Sequence, residues 1–131
     1  MTTLSTPNPT PADIRRGKRF AQLVQEAKGR IQEVSVDTLQ QWQADAKPMV
    51  IIDVREPEDY AKGHIPGARL IPRGELELDI NEQVPDQDTC IVLNCGGGSR
   101  SALAADTLQQ MGYSTVYSLA GGWRTWSQGA Q

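Results

Sequence analysis

Two short stretches, Met49-Val50-Ile51-Ile52-Asp53-Val54 and Thr89-Cys90-Ile91-Val92-Leu93-Asn94, constrain the fold more than any other feature of this chain. Each is apolar at successive positions, and the first is rich in β-branched residues. A strand with one wet face alternates apolar and polar. A strand apolar throughout is covered on both faces, as in a parallel sheet between layers of helices. Thr115–Leu119 predicts a further strand, and Ile31–Val34 and Arg69–Ile71 predict short ones, the first at an edge.

Helical signals fall between these strands. Ser35 can cap a helix whose apolar side is Val36, Leu39 and Trp42 and which ends near Lys47-Pro48. Pro57–Gly63 reads as a short helix or turn, and Gly74–Ile80, the least legible segment, as one turn of helix. Ser101–Met111 reads as a helix with Ala104, Leu108 and Met111 inward, closed by Gly112. Gly121-Gly122 leads into a short helix carrying Trp123 and Trp126. The alternation predicts an α/β domain of three layers with a mostly parallel sheet.

Ahead of this domain, residues 1–9 read as a loose tail. Thr10-Pro11-Ala12-Asp13 has the form of a helix start, and Phe20, Leu23 or Val24, and Ala27 form its apolar stripe. Gly17 weakens this helix and Gly29 ends it. The expected division is therefore a tail and amphipathic basic helix over 1–30 and one domain over 31–131, a size that 131 residues allow. The helix is expected to be a solvated basic face packed through Phe20.

Charge is unevenly placed. Residues 1–33 hold six basic and three acidic residues, +3 locally, which leaves −6 on the rest of a chain whose net charge is −3. An acidic domain gives no reason to expect a nucleic-acid partner, and it repels anions at long range, so an anion site must work through local donors. No apolar run approaches a membrane span, and the first twelve residues lack a signal-peptide pattern. A cytoplasmic protein without a membrane partner is expected. The two cysteines are no disulfide framework, and with one histidine, His64, no metal or cofactor is expected.

Chemistry concentrates in Cys95-Gly96-Gly97-Gly98-Ser99-Arg100, which runs from a strand end into a helix. In open α/β sheets ligands bind at the carboxyl ends of strands. Three glycines let the backbone curl so that successive N–H groups converge at a helix N-terminus, a setting that favours negative charge. It lowers the pKa of Cys95, since the thiolate is the charged form, and can hold a bound anion. Arg100 adds a cation. Most free cysteines are simply core, and Cys90, flanked by Ile91, Val92 and Leu93, fits that reading. Cys95, at a strand end amid glycines, does not.

Four runs resemble the rhodanese homology domain: Val50–Glu56, Gly63-His64-Ile65-Pro66-Gly67-Ala68, Cys95–Arg100 followed by Ser101, and Leu119-Ala120-Gly121-Gly122-Trp123. They stand in the family's order and cover roughly residues 31–128. The resemblance implies a three-layer α/β/α fold with a five-stranded parallel sheet. It also implies a sulfurtransferase in which Cys95 takes sulfane sulfur from a donor such as thiosulfate, holds it as a persulfide, and passes it to a thiophilic acceptor such as cyanide or a thiol. Gly96, Gly97, Gly98, Ser99 and Arg100 would bind the persulfide or donor. A protein sulfur acceptor is a further partner the resemblance allows.

Asp53 and Arg55 are read as an ion-paired brace for the strand end rather than as substrate groups. His64 is expected to be structural. Trp123 and Trp126 are read as packing residues, with Trp123 able to border the site. Glu75, Glu77 and Asp79 are expected on a solvated face. The loop carries no cation besides Arg100, so a less charged donor, such as a persulfide, is expected to suit it. Two rivals stand beside sulfur transfer. Cell-cycle dual-specificity phosphatases share the fold, but place five residues between Cys and Arg where this chain has four, and commonly His where this chain has Asn94. A non-catalytic or shuttle-type module is the other.

Overall fold

The computed structural model describes residues 17–129. Its elements are α1 (Lys18–Lys28), β1 (Gln32–Val34), α2 (Val36–Ala44), β2 (Val50–Asp53), α3 (Pro57–Lys62), β3 (Arg69–Leu70) and a 3-10 turn at Arg73–Glu75. They continue with α4 (Leu76–Gln83), β4 (Cys90–Asn94), α5 (Ser99–Gln110), β5 (Thr115–Leu119) and α6 (Gly122–Gly129). The strands form one five-stranded sheet in the order β1-β5-β4-β2-β3, and every pairing is parallel.

The apolar runs do what their composition requires. Along β4, Ile91 and Leu93 enter one core with Ile52, Leu76, Ile80, Ala104, Ala105 and Leu108. Val92 enters the opposite core with Ile51, Leu39, Leu119 and Trp126. Successive side chains leave a strand on opposite faces, so β4 can bury all of them only because helices cover both. A fully buried Ile or Leu is worth about 1.5–3 kcal/mol against exposure. The two cores place α4 and α5 on one face and α2 and α6 on the other. Among the described residues no helix is long and apolar enough to cross a membrane.

Helix α2 begins as its sequence implies, with Ser35 Oγ accepting a 3.1 Å bond from the Thr38 amide. It ends at Ala44, short of Lys47-Pro48. The illegible segment at Gly74–Ile80 is two elements, the 3-10 turn and α4, of which only Leu76 and Ile80 are buried. Two buried residues in eight give little helical periodicity. Helix α5 begins at Ser99, two residues earlier than its pattern suggests, because Gly98 at φ 100° makes the turn into it.

Helix α1 departs most from its reading. It starts at Lys18 with Gly17 as its left-handed cap, and the helix start expected at Thr10–Asp13 lies outside the described residues. It packs on α5 through Val24 and Ala27. Phe20, expected to be its packing residue, is 43% exposed, and Leu23 is 56% exposed. A short helix lying on the outer side of another touches it along one narrow line, too narrow for the whole stripe. Arg30, just beyond α1, binds Asp106 of α5 through two hydrogen bonds of 3.0 and 2.8 Å.

Candidate functional site

Strand β4 delivers Cys95 to the carboxyl end of the sheet, between β2 and β5. The following loop folds back over its sulfur. Sγ accepts hydrogen bonds from the amides of Gly98, 3.1 Å, and Ser101, 3.3 Å, and lies 3.4 Å from the Ser101 hydroxyl. Ser101 Oγ is in turn 2.8 Å from Ser118 Oγ on β5. Cys95, Ser101 and Ser118 are all buried. Burial pushes the thiol up. The Ser101 hydroxyl and the amides of Ser101, Gly98 and Gly97 outweigh it, so the Cys95 pKa falls below the ordinary thiol value.

One glycine of the three has the conformation that excludes other residues. Gly98 sits at φ 100°, and a Cβ there would stand 3.2 Å from the Gly121 nitrogen and 3.3 Å from the Leu119 carbonyl oxygen. The loop is locked from the other side by α6. Its first amides, Trp123 and Arg124, donate to the carbonyls of Cys95, 2.8 Å, and Gly96, 2.9 Å. This contact requires Gly122, where a Cβ would fall 2.5 Å from the Cys95 carbonyl oxygen.

Asp53 and Arg55 form a brace at the end of β2. Both Asp53 carboxylate oxygens take bonds from the Arg55 guanidinium, with the Nη2 contact at 2.8 Å, and Asp53 is fully buried. Arg55 Nη2 also donates to the Gly63 carbonyl, 2.7 Å, and the guanidinium stands 5.2 Å from the Trp123 ring centre. Trp123 is half-buried and packs against Gly63. His64 lies elsewhere. Its Nδ1 donates to the Tyr60 carbonyl at 2.9 Å and its ring stacks on Tyr60. Cys90, read as core, is only half-buried because it opens β4, and burial pushes its thiol up against the opposing pull of Lys47.

Ser99 is half-buried and Arg100 exposed, and neither donates to Sγ. Residues the sequence reasoning missed are Ser101, which bonds the sulfur, Ser118, which bonds the Ser101 hydroxyl, and Arg124. A polar residue at the buried end of an apolar strand, as at Ser118, was a legible signal. Arg124 had none, since only the fold brings it over the loop. A Cβ on Gly97 would lie 3.1 Å from Arg124 Nη1. Arg100 is thus not the only cation at the loop. Among the described residues no group of three or more His, Cys, Asp or Glu could hold a metal.

The family model of the rhodanese-like domain matches residues 35–129. This chain belongs to the rhodanese-like domain family. A protein named as a sulfurtransferase in Allochromatium vinosum is 33% identical to this rhodanese-like chain over 98 residues, covering 75% of the chain and 90% of that protein. The proposed sulfur carrier protein YrkF of Bacillus subtilis is 36% identical over 102 residues, 78% of this chain. The chain spans only 54% of YrkF. Among solved structures, RPA3614 of Rhodopseudomonas palustris is a protein of unknown function offered as a candidate tyrosine phosphatase. It matches with a TM-score of 0.77 at 32% identity, covering 96% of this chain and 97% of that one.

Proposed function

We propose that this rhodanese-like chain is a sulfurtransferase that moves sulfane sulfur from thiosulfate or a persulfide to cyanide or a thiol through a persulfide on Cys95. The observation that carries the proposal is the Cys95 sulfur held by the Gly98 and Ser101 amides and the Ser101 hydroxyl. With thiosulfate, the thiolate attacks the sulfane sulfur. A new S–S bond forms, the bond to the sulfonate sulfur breaks, and sulfite leaves with the electron pair. The acceptor then attacks the outer sulfur, and the Cys95 thiolate is released with the pair of that S–S bond. With cyanide the product is thiocyanate.

The loop amides from Gly96 to Arg100 supply donors for the bound sulfur, and the lowered thiol pKa raises the share of nucleophilic thiolate without an adjacent base. Asp53 and Arg55 act as positioning residues that hold the Gly63 turn against Trp123, which borders the loop. No metal or cofactor is needed for this chemistry. A cytoplasmic setting suits a nucleophile that must stay reduced.

The test is sulfur transfer from thiosulfate to cyanide by the chain and by Cys95→Ser, which is nearly isosteric. Transfer by the first and none by the second is expected. Retained transfer in Cys95→Ser refutes the mechanism. Slow turnover with thiosulfate beside fast single transfer from a protein persulfide would favour a shuttle.

The likeness to RPA3614 gives the phosphatase reading a specific test. The loop holds four residues between Cys95 and Arg100, Gly96 to Ser99, and its amides close on one sulfur atom. A phosphate needs a wider cradle. No hydrolysis of an aryl phosphate is expected, and Cys95-dependent hydrolysis would replace the sulfur reading.

A further inference from the structure

We infer that the outer face of the helical layer formed by α1, α5 and α4 is a docking surface for a second copy of this chain, with α1 of each copy set against α4 of the other. The inference does not rest on the sulfur-transfer reading. Among the described residues, the large apolar side chains left exposed are Phe20 and Leu23 on α1, at 43% and 56%, and Leu78 on α4, at 82%. Scattered apolar residues on a surface are ordinary, but these share one layer. Helix α5 fixes their common side. Its Ala104, Ala105 and Leu108 face the core. Asp106 and Gln109 meet Arg30 at the end of α1, and Thr107 meets Arg73 just before α4. At 3.6 residues per turn these groups occupy three different sides of α5. Helices α1 and α4 therefore flank it, and its remaining side, with half-buried Leu103 and exposed Gln110, looks outward between them. Leu78 lies opposite Leu76 and Ile80, the residues that α4 buries, so it too points out of the layer.

Charge selects the arrangement of the two copies. Glu75 and Glu82 stand three residues before and four after Leu78, on its side of the helix, and both are exposed. Arg19 stands four before Leu23 on α1 and is exposed too. None of these three forms an ion pair among the described residues. A two-fold axis running along α5 lays each α1 on the other copy's α4. It sets Leu23 by Leu78 and Arg19 by the acidic pair, twice in each dimer. An axis across α5 would instead lay α1 on α1, basic on basic. An unrelated partner would have to carry acidic and basic halves in matching places, whereas a second copy supplies both by symmetry.

Sedimentation of the full chain between about 1 and 500 µM tests the face, a range that spans the weak interfaces expected of short, partly polar helices. Growth from the 14.4 kDa of one chain to twice that mass is expected. Leu78→Asp, at a position exposed in the free chain, should weaken association about tenfold or more. Arg19→Glu and Glu82→Lys, each alone, bring like charges together twice per dimer and should each weaken it about tenfold. Mixed in equal amounts, these two variants should associate again, because in a mixed dimer both contacts join opposite charges. A chain that stays monomeric throughout overturns the proposal and leaves the face to a different partner. Dimers indifferent to the substitutions, or charge variants that stay apart when mixed, overturn the pairing of α1 with α4.

Discussion

The Ser118 hydroxyl on β5 lies 2.8 Å from the Ser101 hydroxyl in the first turn of α5, and both are buried. The direction of this bond follows the charge on Cys95. A thiol can donate to Ser101 Oγ across 3.4 Å, but a thiolate can only accept. Once Cys95 ionises, the Ser101 hydroxyl turns to the sulfur and Ser118 donates to Ser101. Ser101→Ala is therefore expected to raise the Cys95 pKa, and Ser118→Ala to raise it less, because only the polarisation of Ser101 is lost. A net hydrogen bond of about 1 kcal/mol corresponds to a roughly fivefold smaller ionisation constant for Cys95 in Ser101→Ala, read as an alkaline displacement of the reactivity profile. The pH profile of iodoacetamide alkylation measures both. Superimposable profiles for Ser101→Ala and the parent would show that the hydroxyl does not reach the sulfur.

The same shift couples stability to pH. Folding lowers the Cys95 pKa, so the folded chain holds that proton less tightly than the unfolded chain. The resulting stability is fully present above the unfolded thiol's pKa and is lost as pH falls through the lowered folded pKa. Urea midpoints of the parent, relative to Cys95→Ser, should therefore climb as pH rises across that window. A difference independent of pH would contradict the thiolate-stabilising loop.

Gly98 and Gly122 hold the loop from two sides, and each has a positive φ, 100° and 55°. Gly98→Ala places its new methyl 3.2 Å from the Gly121 nitrogen, against backbone that cannot swing aside. Strain and displacement together should cost about 1–3 kcal/mol. The Gly98 amide should also be pulled from the sulfur, lowering kcat. Gly122→Ala collides with the Cys95 carbonyl and should cost more. Thermal unfolding and transfer kinetics test the pair, and a stable, fully active Gly98→Ala would disprove the lock.

How far the sequence reached can be judged from these residues. Strands β2 and β4 were legible because a short, uninterrupted run of apolar residues suits a strand covered on both faces and few other local structures. Cys95 was legible because it stands at a strand end before three glycines. Ser35 was legible because a cap is a local device. Packing of α1 was not, since which residues of an apolar stripe are covered depends on how a neighbouring helix crosses it. Phe20 fits a packing pattern yet stays exposed, while Ala27 is covered completely. Arg124 was invisible for a related reason. Its place over the loop depends on α6 docking against residues 28 positions earlier in the chain (Trp123 on Cys95, Arg124 on Gly96), a contact made through backbone amides that leave no mark on side-chain pattern.

The Asp53–Arg55 brace carries a further expectation. With Asp53 fully buried and Arg55 5% exposed, neither charge has water to fall back on. Removing one partner strands the other, and Asp53→Ala should destabilise by about 3–5 kcal/mol. Replacing both, Asp53→Leu with Arg55→Met, should cost less than Asp53→Ala alone, because no unpaired charge remains. Urea unfolding of the three variants decides the matter. Full stability in Asp53→Ala would mean that Arg55 is satisfied by the Gly63 carbonyl alone.

Deleting residues 1–30 separates two roles for α1. Among the described residues, α5 meets this segment at Val24 and Ala27, both buried, at the Arg30–Asp106 ion pair, and through Gln109 Nε2, which donates to the Arg30 carbonyl at 3.0 Å. Losing the burial that these two apolar side chains share with α5 should cost about 2–3 kcal/mol. Among the described residues, the groups that bond to the Cys95 sulfur, Gly98 and Ser101, lie outside the deleted segment. Sulfur transfer measured well below the melting temperature should therefore remain near that of the full chain, while the melting temperature falls. The loss should also change with pH. The Arg30 hydrogen bonds hold the Asp106 carboxyl below its usual range against the opposing effect of burial. Their contribution is present above the unfolded carboxylate's pKa and disappears as pH falls through the folded one, so the stability gap between full and shortened chains should narrow in acid. A shortened chain that melts normally but transfers sulfur poorly would instead place the first 30 residues at the reaction site.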